Sequence, residues 1–189
     1  MRIIAGEWRG RQLVTAKGDT TRPTADRTRE TLFNMLASRL GSLDGLTVVD
    51  LFAGSGALGL EALSRGAAHC LFVEQDAGAL AALRKNVAVL DAQTRVTVKA
   101  GSVLELEPAK SPSDLFLLDP PYETGAGQVA LHRLLRLGWL GAASMAVLEA
   151  SHDEEVEVRG LIIATERRVG RAKLTFLRPE VAAEKTALH

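Results

Sequence analysis

Residues 46–66 read LTVVDLFAGSGALGLEALSRG, an apolar run followed by a glycine-rich turn and a helical pattern. The run LTVVDLF is continuous and of strand length, which is typical of a parallel strand covered on both faces. Gly54, Gly56 and Gly59 follow with the spacing GxGxxG, and glycines in such a turn allow sharp bending and the close approach of a ligand. The stretch therefore predicts a strand–turn–helix unit with a ligand site at the end of its strand.

The same alternation continues along the chain. Helical or turn segments separate four further strand-like runs, CLFVE, RVTVKA, DLFLLD and SMAVLEA. The helical pattern TADRTRETLFNMLASRL, expected to begin at Thr24 or Asp26, comes before the first strand, and two β-like runs about Gly170 predict a closing antiparallel hairpin. Together these features indicate an α/β fold with a doubly wound, mostly parallel, seven-stranded sheet.

Size and composition fit one ordinary domain. The chain has 189 residues, of which 47% are hydrophobic, and no apolar run approaches the ~18 residues of a membrane span. Its start lacks the apolar core of a signal peptide. The lone Cys70 excludes an internal disulfide, and the four histidines show no metal-ligand spacing, so we predict no metal site. A soluble, cytoplasmic, monomeric protein is expected.

Charge is unevenly distributed although the net charge is zero. Residues 1–40 hold eight Lys/Arg and four Asp/Glu, and residues 165–178 hold five basic residues and one acid. Basic segments at both ends of a neutral chain favour a local surface for a polyanion. Ordinary solvated surface remains the alternative on composition alone.

The strand ends suggest an adenosine-containing ligand, because ligands of such sheets bind beyond the carboxyl ends of the strands. Glu74 ends the second strand 20 residues after Gly54 and is placed to accept ribose hydroxyls. A nicotinamide dinucleotide and S-adenosylmethionine both fit this pattern. Asp50, at the mouth of the first strand, suits a cationic sulfonium better than a pyrophosphate, which favours the methyl donor.

The fourth strand ends on Asp119, Pro120, Pro121 and Tyr122. Prolines cannot continue a sheet ladder, so a stiff corner follows the strand. The Asp119 carboxylate and the Pro120 carbonyl can accept the hydrogens of an aromatic amine, and Tyr122 can stack on its flat ring. This corner predicts methyl transfer to the exocyclic amine of a base, driven mainly by positioning.

With these motifs, the stretches RIIAGEWRGRQL, RPTADRTRETLFN and DLFAGSGALGLEALSRGA make residues 1–178 resemble the RsmD family. The resemblance implies a Rossmann-like class I methyltransferase that modifies guanine N2 in 16S ribosomal RNA, naked or partly assembled. It also implies an S-adenosylmethionine site at Asp50, Gly54, Gly56 and Glu74, and a target-base site from Asp119 to Tyr122. Ser102 or the backbone near it is expected to meet the adenine amine.

The resemblance also gives the basic N-terminus a purpose. We expect an arm and turn over residues 1–25, a methyltransferase domain over 26–178 and a frayed tail over 179–189. The candidate RNA-binding residues are Arg2, Trp8, Arg9, Arg11, Arg22 and Arg27. Trp8 could instead pack the arm onto the body of the protein. Arg22 and Thr24 could instead line the cofactor cleft.

Three other functions remain open at this point. DNA or RNA adenine-N6 methylation uses the same DPPY chemistry, but the chain has no sizeable DNA target-recognition domain. A nicotinamide-dependent dehydrogenase fits the glycine spacing. A non-catalytic RNA-binding assembly factor fits the basic segments. Its RNA binding would not change if Asp119 were lost.

Overall fold

A central sheet with helices on both faces organises the computed structural model, which describes residues 1–16 and 23–180. The α-helices are α1 Pro23–Leu40, α2 Ala57–Ser64, α3 Ala77–Val89 and α4 Ala126–Arg136. The strands are β1 Thr47–Leu51, β2 His69–Glu74, β3 Val96–Ala100, β4 Ser113–Leu118, β5 Leu140–Ser151, β6 Leu161–Val169 and β7 Ala172–Pro179. Within this part of the chain, no helix is both long and apolar enough to cross a membrane.

The seven strands have the spatial order β3-β2-β1-β4-β5-β7-β6. The first five strands are parallel, whereas β7 runs antiparallel to both β5 and β6. The predicted doubly wound sheet and its closing C-terminal hairpin are therefore confirmed. The strand order reverses between β1 and β4, which is where such sheets bind their ligands.

Some element boundaries differ from the sequence prediction. Helix α1 begins at Pro23 rather than at Thr24 or Asp26, because proline suits the first helical turn, where its missing N–H is not needed. The helical pattern VALHRLLRLGWL predicts a helix that runs to Leu140, but helix α4 ends at Arg136 because Gly138 takes a left-handed conformation with φ of 75°. The chain then enters β5, which has 12 residues and is longer than SMAVLEA.

Apolar side chains on both faces of the sheet form two clusters of buried residues. One lies beneath α1 and α2 and includes Phe33, Leu60 and Phe176. The other lies beneath α4 and includes Phe116 and Leu131. Burial on both faces explains why the parallel strands read as continuous apolar runs.

The N-terminal arm, residues 1–16, folds back on itself and packs into the first of these clusters. Arg2 and Gln12 form an antiparallel bridge, although no regular strands develop on either side of it. Ile3, Trp8 and Leu13 are buried in the core. The arm is thus a short hairpin that forms part of the body of the protein, and it does not stand apart from it.

Polar side chains of α2 anchor this arm. Glu61, fully buried, accepts the backbone N–H of Ile4 at 2.8 Å and that of Ala5 at 3.0 Å. Its carboxylate also accepts from Arg65 Nε at 2.8 Å and lies 3.9 Å from Arg29 Nε. These contacts satisfy arm backbone groups that a regular ladder would otherwise pair, which explains why strands are not needed there.

Candidate active site

Two adjacent clefts open at the carboxyl ends of β1, β2 and β4. The large cleft, of about 500 Å³, is lined by Phe52, Val73, Glu74, Gln75, Asp76, Gly101, Ser102, Val103, Asp119, Pro120, Pro121, Thr124 and Ala126. The small cleft, of about 200 Å³, is lined by Met1, Ala25, Asp50, Phe52, Ala53, Gly54, Ser55, Ala57, Leu58 and Asp119. Phe52 and Asp119 border both. Met1 lines the small cleft, so the N-terminal arm lies beside this cleft.

The three glycines of the turn after β1 have different structural roles. Gly54 has a left-handed φ of 56°, and a Cβ there would meet no atom within 4 Å, so the backbone is open to a ligand. Gly56, with φ of 84°, leaves no room for a Cβ against Leu83. Gly59 packs against Phe72 and Cys70 of β2 in the same way. Of the two predicted cofactor glycines, Gly54 lines the small cleft and Gly56 shapes the turn; contact of either with a cofactor stays a prediction.

Backbone groups hold the Glu74 carboxylate in place at the end of β2. One oxygen accepts the Gly54 N–H at 2.8 Å, and the other accepts the N–H groups of Gln75 and Asp76 at 2.8 Å each. A carboxylate has about four acceptor sites, so this arrangement fixes its orientation and leaves capacity for a ligand donor. Glu74 also ties the glycine turn to the β2 end.

Asp50 caps the start of α2 from inside the sheet. It is buried, and its carboxylate accepts the Gly59 N–H at 2.8 Å. Burial raises the pKa of Asp50 well above its usual range, the Gly59 bond opposes this, and the negative charges of Asp119 and Glu74 add to it. A cation bound nearby would stabilise the charged form of Asp50 against both the burial and the repulsion.

The corner after β4 carries the predicted target-base residues. Asp119, Pro120 and Pro121 line the large cleft, and Tyr122 lies just beyond with 44% of its surface exposed. The Thr124 hydroxyl donates to the Pro121 carbonyl at 2.7 Å, which closes the corner. The structure therefore brings the four residues together on one rigid turn.

Tyr122 is held by a residue that sequence reasoning did not single out. Its hydroxyl donates to Glu149 of β5 at 2.7 Å. Burial raises the pKa of Tyr122, and the Glu149 bond and charge and the Asp119 charge raise it further. Burial also raises the pKa of Glu149, against the opposing effect of the tyrosine bond. The phenol thus lies within the field of two carboxylates.

Ser102 lines the large cleft but is partly committed to local structure. Its hydroxyl caps the short helical turn Val103–Glu105 by accepting from the Leu104 N–H at 3.2 Å, and its own N–H donates to Glu105 at 3.0 Å. Its role toward an adenine amine stays a prediction.

Phe52 is the cleft residue that sequence reasoning missed most clearly. It borders both clefts and adopts a left-handed φ of 60°, which is strained for a residue with a side chain. Strain of this kind concentrates at ligand sites. The only available signal was its place between Asp50 and Gly54, where it reads as the last residue of the strand.

Three of the predicted RNA-binding arginines meet in a separate cavity between the arm and the start of α1. This basic cavity, of about 580 Å³, is lined by Arg2, Ile3, Ile4, Arg9, Gly10, Asp26, Arg27 and Glu30. The three arginine side chains are exposed. Asp26 is paired with Arg29 at 3.0 Å, so the exposed charge of the cavity is predominantly positive.

The other predicted RNA-binding residues lie elsewhere. Trp8 is buried beneath Arg95, whose guanidinium carbon is 5.3 Å from the ring centroid, so the packing alternative is the one the structure shows and Trp8 has no face free for a base. Arg11 donates to the Val89 carbonyl at 2.7 Å, which fastens the arm to α3 rather than aiming at the basic cavity. Arg22 and the side chain of Thr24 lie outside the described residues.

The fold and the site together indicate the class of protein. A Rossmann-like sheet with a glycine turn after β1 and an acidic residue ending β2 is the class I methyltransferase fold, which the solved structure of magnesium protoporphyrin IX methyltransferase from Synechocystis shares with a TM-score of 0.63 at 17% identity over 86% of this chain and 87% of that one. Residues 1–178 match the family model "Conserved hypothetical protein 95". The chain belongs to this family, the RsmD family, as predicted.

Individual relatives agree with this assignment. The Escherichia coli K12 protein named ribosomal RNA small subunit methyltransferase D is 40% identical over 79% of this chain and 74% of its own length. The Haemophilus influenzae protein of the same name is 37% identical over 82% of this chain and 80% of its own. The solved structure of Escherichia coli yhhF has a TM-score of 0.82 at 34% identity, covering 96% of this chain and 99% of that one. The predicted class of enzyme, an rRNA methyltransferase, is confirmed.

Proposed function

We propose that this protein transfers a methyl group from S-adenosylmethionine to the N2 amine of a guanine in 16S ribosomal RNA, naked or partly assembled into the small subunit in the cytoplasm. The observation that carries the proposal is the position of Asp119. It directly follows β4 and borders both clefts, so its carboxylate can act on the cofactor side and on the acceptor side of the site.

The residues present fit S-adenosylmethionine better than a dinucleotide. A pyrophosphate binds to free N–H groups at a helix N-terminus, but here the Gly59 N–H in the first turn of α2 is donated to Asp50. Glu74 and Asp119 bring negative charge close to Asp50, which repels phosphate and favours a cationic ligand. Open space at Gly54 and the ordered Glu74 carboxylate suit a ribose.

The cofactor supplies an activated methyl group on its sulfonium, and the residues of this chain orient the acceptor. Asp119 and the Pro120 carbonyl accept the hydrogens of the target amine, which turns the nitrogen lone pair toward the methyl-donor side. Tyr122 stacks on the base and limits its tilt. Asp119 takes the proton that the amine releases. Most of the rate enhancement comes from this positioning.

Mass spectrometry of nucleosides tests the proposal directly. Unmodified 16S rRNA, alone and partly assembled with small-subunit proteins, is incubated with the protein and S-adenosylmethionine. We expect N2-methylguanosine at one mapped position. N6-methyladenosine would point to the adenine alternative, and RNA binding without methylation would point to an assembly factor.

Glu74→Ala is expected to weaken S-adenosylmethionine binding by about 1.5–3 kcal/mol, the scale of hydrogen bonds to a charged acceptor. The variant removes a ligand contact and also releases the Gly54 backbone from its anchor. Isothermal titration calorimetry measures the change, with Glu107→Ala, an exposed acid outside the clefts, as the control. Unchanged affinity, or binding of NADH instead, would contradict the assigned cofactor site.

The basic cavity supports the RNA part of the proposal. Exposed arginines bind phosphates in a manner that does not depend on sequence, and this holds the substrate in register. Met1 and Ala25 line the small cleft, and the next residues in the chain, Arg2 and Asp26, line the basic cavity, so the two sites adjoin. An RNA backbone in the cavity is therefore close to the catalytic corner.

Arg9→Ala and Arg27→Ala are each expected to weaken RNA binding and to flatten the slope of log affinity against log salt by up to ~0.7–0.9. Arg11→Ala removes the same charge from the same arm and is the matched control, because its guanidinium is bound to the Val89 carbonyl. Filter binding over a range of salt concentrations gives the slopes. If the slopes of all three variants equal the wild-type slope, the RNA-binding surface must lie elsewhere. The next candidate is the region of the β6–β7 turn, where Arg167, Arg168 and Arg171 are exposed.

A further inference from the structure

Glu149 occupies a position that the proposed chemistry does not yet use. Strands β4 and β5 are parallel, and Leu118 pairs with Leu148. Asp119 and Glu149 each follow that pair by one residue. Side chains alternate between faces along a strand, so the residues after an aligned pair point to the same face of the sheet. The carboxylate of Asp119, just beyond the end of β4, and that of Glu149, within β5, therefore face the same side of the sheet.

Tyr122 connects the two carboxylates. Its hydroxyl donates to Glu149 Oε1 at 2.7 Å, and the charges of both Glu149 and Asp119 act on its phenol. A carboxylate has about four acceptor sites, of which this hydrogen bond uses one. Glu149 thus retains acceptor capacity next to the residue that is expected to stack on the target base.

Further hydrogen bonds make the corner and the end of β5 one unit. The Glu123 N–H donates to Glu154 at 3.3 Å. The Gln128 amide donates to the Glu155 carbonyl at 3.0 Å, and its oxygen accepts the Glu157 N–H at 2.9 Å. Because these bonds span from α4 and its preceding turn to the segment after β5, Glu149 keeps a fixed position relative to the catalytic corner.

We propose that Glu149 selects guanine over adenine-like bases by accepting the N1–H of the target base. This inference rests on the proposed function. Guanine presents two adjacent donors on its Watson–Crick edge, N1–H and the N2 amine, and two adjacent carboxylates match them. Asp119 meets the amine that reacts, and Glu149 meets the ring N–H beside it. A base with a lone pair at N1 is repelled by the Glu149 carboxylate and offers it no hydrogen.

The test uses the guanine position mapped by nucleoside mass spectrometry. Ligation of 16S rRNA fragments places either guanine or 2-aminopurine at that position; 2-aminopurine keeps the reactive amine but has a lone pair at N1. For wild-type protein, kcat/KM is expected to favour guanine by ~10²-fold, the upper end of the scale for one hydrogen bond to a charged acceptor that the analogue lacks. In Glu149→Gln this preference is expected to fall about tenfold or more, because the new amide can donate to N1 and one lost charged contact is on that scale.

Two further variants separate base selection from scaffolding. Tyr122→Phe removes the bond to Glu149 and is expected to lower kcat/KM for both bases while the preference stays. Glu155→Gln, an exposed acid in the segment after β5, is the charge-matched control and should change neither value. Thermal unfolding confirms that each variant is folded.

The inference stands only if the preference falls in Glu149→Gln and holds in the other two variants. A Glu149→Gln protein that keeps the wild-type preference, or that loses activity on both bases alike, overturns it and leaves Glu149 as a support for Tyr122. Absence of guanine methylation by the wild-type protein would instead overturn the proposed function, so the two failures are distinguishable.

Discussion

Replacing Asp119 with alanine is expected to lower the rate of methyl transfer on the order of 10²–10³-fold, the scale seen when one preorganised hydrogen-bonding group is removed from an active site. Asp119 borders both clefts and is expected to orient the reacting amine. S-adenosylmethionine affinity should change far less, because Glu74 and the Gly54 turn remain in place. Single-turnover transfer of a labelled methyl group measures the rate, and calorimetry measures the affinity.

Asp119→Asn is the informative companion to this variant. Asparagine keeps an acceptor oxygen at the same place but cannot take up a proton, so we expect an activity between those of wild type and Asp119→Ala. Equal losses in the two variants would show that proton uptake dominates. Full turnover by Asp119→Ala would show that the DPPY corner is structural and would remove the main support for the proposed mechanism.

Replacing Glu61 with alanine is expected to have the largest effect on stability, about 3–5 kcal/mol, as for other buried ion pairs that lose one partner. The change leaves Arg65 and the N–H groups of Ile4 and Ala5 without their acceptor in the core. For a chain of this length such a loss corresponds to roughly 10 °C or more in Tm. Thermal and denaturant unfolding give the change in free energy.

Hydrogen exchange shows where this stability resides. The amides of Ile4 and Ala5 should lose protection in Glu61→Ala before the sheet does, because they depend directly on the lost carboxylate. Glu157→Ala, an exposed acid, is the control and should leave both stability and exchange near wild type. Unchanged protection of the arm in Glu61→Ala would mean that apolar packing of Ile3 and Leu13 suffices to hold it.

The fold was largely predictable because its signals are local. Each parallel strand is a short apolar run, and turn residues mark its end, so the strands and their order in the chain follow from the sequence. The C-terminal hairpin about Gly170 was equally clear. The least accurate boundaries were those of α1 and α4, where single proline and glycine residues decide between helix and turn.

The candidate site was predictable in part for the same reason. Asp50, Gly54, Glu74 and Asp119 lie at strand ends, and the topology of a doubly wound sheet gathers strand ends at one edge. Phe52 lies on the same stretch, but its strained conformation leaves no mark in the sequence. Glu149 reads as an ordinary acid within a strand, and only its contact with Tyr122 connects it with the site.

The sequence by itself determined the class of fold, the strand-end residues and the family, because these depend on patterns within a few neighbouring positions. Tertiary structure alone decided that Trp8 and Arg11 hold the arm in place while Arg2, Arg9 and Arg27 share a cavity. It also decided that Glu61 is a buried anchor. Each of these roles depends on partners that are distant in the chain. The sequence around a charged or aromatic side chain does not indicate which of these partners it will contact.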